Sequence, residues 1–277
     1  MTESLTLLIS GYDSPEGPAF DRHGNLYFVN WNSSSIIRLP PDGEASEFFN
    51  TGGIPAGLAF HRDGSLYVAD EGDAIHGVLR IENGTAETLV NTYHDEPLNG
   101  ANDLVFDHEG VLYFSDPWGS SSDNPIGGFY RYFPNGALER IDHGLAFPNG
   151  VAISPDGASI YLAETYRNRV LRYPAASDGT IGPREDFASL PGQYGPDGMA
   201  CDEAGNLYVA HYGGGKVAVF SPSGELTTEI RVTGANVTNV AFGGPDRRTL
   251  VITDVETASL YQTRVEVPGL GLYGETG

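Results

Sequence analysis

Glu16 to Trp31 reads EGPAFDRHGNLYFVNW, and Asn102 to Pro117 reads NDLVFDHEGVLYFSDP. Both stretches start on a polar residue, run through a short apolar segment, and turn at a Gly-bearing tetrapeptide. Both return as Leu-Tyr-Phe and end on polar side chains. The pattern recurs at Ala56–Glu71 (AGLAFHRDGSLYVADE), Asn149–Thr165 (NGVAISPDGASIYLAET), Asp197–Tyr212 (DGMACDEAGNLYVAHY) and Thr238–Val255 (TNVAFGGPDRRTLVITDV). The starts are 40, 46, 47, 48 and 41 residues apart. Each copy reads as a β-hairpin: apolar strand, Gly turn, apolar strand. A third strand follows, as in Ile36–Leu39 or Val170–Tyr173, and a fourth, as in Glu47–Phe49 or Glu87–Val90. No segment sustains a 3.6-residue period. Four strands every 45 residues or so, six times over, predict an all-β, six-bladed propeller of four-stranded antiparallel blades.

Outward from the repeats, the apolar Leu5–Ile9 precedes the first copy. It is expected to close the ring as the outer strand of the last blade. The Gly-rich stretch after Val267 reads as loosely ordered. No linker or composition shift interrupts the chain, so residues 1–277 read as a single domain.

The formal net charge is −22, which disfavours nucleic acid and anionic membrane as partners. One cysteine, Cys201, excludes an intramolecular disulfide. With no basic-then-apolar leader at Met1 and no apolar run long enough to span a bilayer, the expected location is cytoplasmic. Composition gives no oligomeric state.

The repeats also serve as an internal control. In a propeller the first strand of each blade lines the central channel. Its first residues here are Glu16, Ala56, Asn102, Asn149, Asp197 and Thr238. Four of these carry a carboxylate or amide oxygen, at one level around one axis. Such a set suits Ca²⁺, a hard ion that takes six to eight oxygen ligands, with water filling the rest. No Cys/His cluster suggests a zinc centre, although Zn²⁺, Mn²⁺ or Mg²⁺ are the other ions weighed. The competing reading is local capping of strand starts by the same side chains. Proline precedes Glu16, Asn149 and Asp197 and stiffens each approach, although Pro55–Ala56 does so without a ligand.

The second column is Gly17, Gly57, Asp103, Gly150, Gly198 and Asn239. Glycine dominates, as crowding between neighbouring blades would require. Asp103 breaks the rule, so it is a candidate for orienting water or substrate, or else a polar contact to the adjacent blade. A third column ends the second strand: Asn30, Asp70, Asp116, Glu164, His211 and Asp254. A polar residue in all six favours repeated turn capping, with His211 a candidate base. Hairpin strands are antiparallel, so the loops after the second strand surround the metal face. They carry Trp31, Trp118, Tyr166 and Tyr212, an aromatic rim suited to a small organic ligand or else to blade packing. The longest of these loops is Pro117–Gly127.

The motifs Ser14-Pro-Glu-Gly-Pro, Asn102-Asp-Leu-Val-Phe-Asp, Phe147-Pro-Asn-Gly-Val-Ala and Gly195-Pro-Asp-Gly-Met resemble those of the senescence-marker protein/gluconolactonase/luciferin-regenerating-enzyme-like family. That family also takes in diisopropyl fluorophosphatase and drug-responsive lactonases. The resemblance covers nearly the whole chain and implies a six-bladed propeller with a catalytic divalent metal, often calcium. It implies that Glu16, Asn149 and Asp197 are metal ligands, and that Asn102 completes the set or touches substrate. It marks Asp197 as base or nucleophile. Sugar-lactone members commonly carry Arg two residues before the Asn-Asp pair, where this chain has Gly100.

The function expected is a metal-dependent hydrolase, chiefly a lactonase acting on a small lactone or ester. Asn102, Trp31, Trp118, Tyr166, His211 and Tyr212 are then the substrate contacts. Asp197 is the catalytic carboxylate, with Asp103 as a possible helper. A phosphotriesterase on the same site, or a calcium-stabilised binding module without enzymatic activity, are the alternatives.

Overall fold

The computed structural model describes residues 4–192 and 194–274. Six four-stranded antiparallel sheets follow one another around an axis. The first blade is built from Pro15–Phe20, Leu26–Asn30, Ser35–Leu39 and Ser46–Asn50. The other inner strands are Pro55–Phe60, Leu104–Phe106, Pro148–Ile153, Pro196–Cys201 and Val237–Gly243. The sixth blade takes its outer strand from the N-terminus: Thr6–Ser10 pairs antiparallel with Ser259–Arg264. Closure by the orphan apolar segment is therefore as expected, shifted by one residue. Apart from the blades there is a two-stranded hairpin, Thr92–Tyr93 with Glu96–Pro97. His94 and Asp95 make its turn with positive φ, the geometry of a tight primed turn.

The core lies in the seams. One apolar cluster, with Phe129, Leu162, Leu171 and Tyr173, joins blades three and four. Another, with Ala163, Val170, Leu207 and Val209, joins four and five. The remaining seams are filled likewise, including six to one, where Val251 and Leu260 meet Leu26 and Phe28. Each fully buried side chain of this size contributes about 1.5–3 kcal/mol. The hairpin turns at the far end are tied by their own aspartates: Asp21, Asp107 and Asp202 each accept two or more backbone N–H bonds.

The segment after Val267 departs from expectation. Far from loose, it runs across the far end of the channel. Gly269 donates to Arg247 O, Leu270 donates to Cys201 O, and Glu203 donates to Pro268 O. Tyr273 then reaches the opposite side, where its ring meets Phe106 and His61 and lies under the Arg62 guanidinium. The glycines make this possible. A Cβ on Gly269 would collide with Phe242, and one on Gly274 with the Phe60 carbonyl.

Candidate functional site

Glycine in the second column is explained by the next blade. A Cβ on Gly17 would lie 2.0 Å from Ala56 O, and one on Gly150 2.2 Å from Asp197 O. A Cβ on Gly57 would meet Asp103, and one on Gly198 the Asn239 side chain. In five blades the hairpin register slips at this column, as between Glu16 and Ala19 or Pro196 and Met199. Such a bulge bends the strand and re-aims the side chain beside it. The repeat thus gives the first-column residues of these five blades a common irregular geometry, while in the blade of Asn102 the paired strand begins at Leu104 without such a slip.

Asn149, Asp197, Ala56 and Thr238 are buried, while Glu16 and Asn102 are half-buried. The electrostatics tie them together. Burial pushes the Glu16 carboxyl well up, and repulsion from Asp197 and Asp103 adds to it. The Gly17 N–H and Asn239 Nδ2 oppose this shift. Asp197 is pushed well up by burial, then by Asp103 and Glu71, against the Asn149 side-chain hydrogen bond and the Gly198 N–H. Burial raises Asp103 to about 7 and Glu71 to about 7. Among the described residues no lysine or arginine is among the main influences on these four carboxyls.

Buried negative groups without a cation are costly, and one further atom is unmatched. Asn149 Oδ1 is buried without a hydrogen-bond partner. Among the described residues no three His, Cys, Asp or Glu side chains form a ready metal cage. The oxygens available are mixed, two carboxylates (Glu16, Asp197) and two amides (Asn102, Asn149). That mixture, with an orphaned amide oxygen beside mutually repelling carboxylates, fits a hard divalent cation. Among the described residues the site lacks the Cys and His ligands of structural zinc centres.

The two exceptional second-column residues have clear partners. Asp103 Oδ2 accepts the Val151 N–H of the next blade at 2.9 Å and Oδ1 accepts Leu104 N–H at 2.9 Å. Asn239 Nδ2 likewise reaches the next blade, at Glu16 Oε2, 3.2 Å away. Asp103 is therefore an inter-blade clamp at the floor of the site. Thr238 has the same task, donating to Pro15 O or to Thr253 Oγ1.

The third column caps, as its universality suggested. Asn30 accepts Ser14 N–H, Asp70 accepts Ile54 N–H, Asp116 accepts Gly100 N–H and Glu164 accepts Ala146 N–H. Each holds the segment leading into its own inner strand. Asp254 instead accepts Thr257 N–H. His211 is 2% exposed, with Nε2 3.2 Å from Tyr194 O and burial lowering its pKa. The ring is buried, and its Nδ1 has no hydrogen-bond partner.

Trp31, Trp118 and Tyr166 stand exposed at 38–39%. Tyr212 packs edge-on against Tyr194, and Tyr166 lies tilted against Phe147. Burial raises the Tyr166 hydroxyl, and Tyr194, Asp197 and Glu71 add to it. Tyr212 is raised by burial, then by Asp197, Tyr194 and Tyr166. These hydroxyls and the carboxylates thus face one space. The long loop leans onto the Tyr166 turn through Ser122, whose Oγ donates to Tyr166 O and whose carbonyl accepts Arg167 Nη2. Arg169 is held by Glu164 and Asp186, so it is not available to a ligand.

Sequence reading missed Glu71, Tyr194 and Phe147. Glu71 directly follows a capping residue and had no counterpart to flag it. Gly100 also gains an explanation. Its φ is +139°, and a Cβ there would lie 2.9 Å from Trp118 Cβ and 3.0 Å from Glu71 O.

Comparison with known proteins agrees with this architecture. The lactonase drp35 of Staphylococcus saprophyticus is 34% identical over 260 residues, covering 87% of this chain and 79% of the relative. The gluconolactonase of Xanthomonas campestris superposes with a TM-score of 0.84 at 26% identity, over 95% of this chain and 89% of that one. The regucalcin of Agrobacterium tumefaciens shares the fold with a TM-score of 0.84 at 23% identity, over 97% and 95%. The SMP-30/Gluconolactonase/LRE-like region matches residues 14–256, and the chain belongs to that family.

Proposed function

We propose that the protein is a divalent-metal-dependent hydrolase of small lactones, with Glu16, Asn102, Asn149 and Asp197 holding a calcium-type ion. The observation that carries this is the unpartnered Asn149 Oδ1, buried among four carboxyls that no side-chain cation balances. Lactonase and gluconolactonase activities in the names of the staphylococcal and Xanthomonas relatives support the reaction class.

A bound divalent cation supplies Lewis-acid polarisation of the lactone carbonyl. The residues do the rest. Asp197 is the carboxylate assigned to take a proton from an attacking water, with the bound cation favouring its charged form. The new C–O bond forms as the ring C–O bond breaks, and the ring oxygen leaves with a proton as the hydroxyl of a hydroxy acid. The Asn149 side chain orients Asp197 by hydrogen bonding to it. Asp103 fixes the floor without touching substrate. The aromatic side chains Trp31, Trp118, Tyr166 and Tyr212 line the approach and exclude bulk water from the carbonyl.

The test is turnover of dihydrocoumarin by purified protein, after exhaustive chelation and after adding back calcium, manganese, magnesium or zinc. Activity that returns with calcium supports the reading. Full activity after chelation, or none with any ion, refutes it. A single turnover in ¹⁸O-water separates the two roles of Asp197. Label enters the product if water attacks, whereas if Asp197 attacks and water then opens the anhydride at Asp197 Cγ, the label enters the Asp197 carboxylate and the first product is unlabelled.

A further inference from the structure

Glu71 belongs to the one blade among the first five whose channel-lining start, Ala56, offers no side-chain oxygen. It is nevertheless buried, 7% exposed, and no cation is among its electrostatic partners. Its backbone is held firmly. Glu71 N donates to Ile54 O, and Asp70 Oδ1 bonds both Ile54 N and Gly72 N. From the other side the left-handed backbone of Gly100 packs against Glu71 Cα and O. This contact brings the start of blade three against the end of blade two. Two residues on, Asn102 Nδ2 donates to Glu71 Oε1 at 2.8 Å.

That bond has a directional consequence. A primary amide has one donating and one accepting end, whereas an ionised carboxylate only accepts. Ionised Glu71 faces only the nitrogen of Asn102, as the observed bond has it, and the Oδ1 is turned to the other side. A hard cation binds the oxygen and never the nitrogen. Without Glu71 the amide is free to rotate, and either end can face the ion.

We propose that Glu71 is a positioning residue that orients the Asn102 amide, so that Oδ1 is the atom presented to the metal. The proposal rests on the metal-site reading above. Glu71 acts through Asn102 and is not itself a ligand, and what fixes the amide is a partner that accepts and cannot donate. The first two residues of blade three and the turn of blade two thus form one unit across a seam.

Terbium(III), an oxygen-seeking luminescent ion, reports on this without turnover. Its affinity comes from titration, and lifetimes in H₂O and D₂O count its bound waters. Glu71→Ala should weaken terbium binding roughly tenfold, the loss of one charge-assisted hydrogen bond, and add about one bound water. Glu71→Gln offers Asn102 a donor as well as an acceptor, so the amide is no longer held one way round, and it should bind terbium nearly as weakly as the Ala variant. In an Asn102→Ala background, Glu71→Ala should have no further effect. A Gln variant as tight as the parent would mean that an accept-only partner is not needed, and a full Glu71→Ala effect in the Asn102→Ala background would mean that Glu71 acts directly on the ion; either would overturn the proposal. So would an Ala variant with unchanged affinity and water count. Asp197→Ala is the control for the site itself. If that variant binds terbium like the parent, the metal reading fails, whatever Glu71 does.

Discussion

The two ends of the channel are lined by the same six strands and could hardly be less alike. At one end stand Glu16, Asn102, Asn149 and Asp197 under an aromatic rim. A few residues further along the same strands the lining is Phe20, Leu58, Val105, Ile153, Met199 and Phe242. This apolar half encloses a cavity of about 80 Å³, and Leu270, Leu272 and Tyr273 of the C-terminal segment close it. Asp103 and Asn239 lie at the boundary, each spanning to the next blade. The contrast shows how the fold raises its carboxyl pKa values. Beneath Glu16 and Asp197 the channel lining turns apolar, and the C-terminal segment lies across it. Charge without solvent below and without a side-chain cation beside it is charge that favours a metal.

The comparison breaks most visibly if the polar end is altered. Asp197→Ala should lower kcat for dihydrocoumarin by about 10³-fold or more, the scale of losing a general base together with a metal contact. Its circular dichroism should remain that of the parent, since the seam clusters do not include Asp197. Activity within tenfold of the parent would show that the chemistry lies elsewhere.

At the other end, a chain ending at Val267 loses the Gly269 and Leu270 backbone bonds and the packing of Leu270 and Tyr273. Partial burial of two large side chains plus these bonds amounts to roughly 3 kcal/mol. Tm should fall by about 8 °C, while terbium binding at 15 °C is retained. An unchanged Tm would mean that the segment is no cap.

A third measurement couples the two ends through pH. In the chelated protein Asp103 and Glu71 titrate at about 7, and Glu16 and Asp197 are pushed well up by burial and mutual repulsion. Unfolded, all four titrate near 4. Between those values the folded state binds more protons than the unfolded one. Stability is therefore highest below about pH 4 for this contribution, and falls as pH rises through about 7. Scanning calorimetry of chelated protein should give a Tm about 5 °C higher at pH 5.5 than at pH 8. Added calcium should shrink that gap, and a gap of opposite sign would contradict the buried, unbalanced cluster.

Much of this was legible in the sequence, for a definite reason. Six copies of one hairpin let each residue be compared with five others in the same environment. The seam crowding at Gly17 and Gly150, the capping by Asp70 and Asp116, and the strand that closes the ring at Thr6–Ser10 all follow from a repeated rule. What stayed hidden is what does not repeat. Glu71 sits one residue past a capping column, where the other blades have Trp31, Pro117, Thr165, Tyr212 and Val255. The tail after Val267 has no counterpart at all, and its glycines read as freedom, whereas they are needed for close approach to Phe242 and Phe60. His211 looked distinctive by residue type, yet it occupies the capping position that its column prescribes.

The smallest effect concerns which lactone the rim prefers. A Cβ at position 100 would meet Trp118 and Glu71, so no longer side chain fits there without displacing them. Arg169 is held by two carboxylates and Arg167 by the Ser122 carbonyl. The rim therefore offers few free cationic donors for the hydroxyls of a sugar lactone, each of which needs a partner once it leaves water. It does offer apolar and aromatic area, about 25 cal/mol for each Å² buried. We expect kcat/KM for dihydrocoumarin to exceed that for gluconolactone in metal-loaded protein, with spontaneous gluconolactone hydrolysis subtracted. Trp118→Ala removes one ring contact, worth about 1 kcal/mol. It should lower kcat/KM for dihydrocoumarin roughly fivefold, and that for a small unsubstituted lactone such as γ-butyrolactone by less than twofold. Equal losses on both would assign Trp118 to holding Gly100 and Glu71 in place instead of to the substrate. A preference for gluconolactone in the parent would mean that Arg167 leaves Ser122 when ligand arrives, and that the rim is more polar in use than at rest.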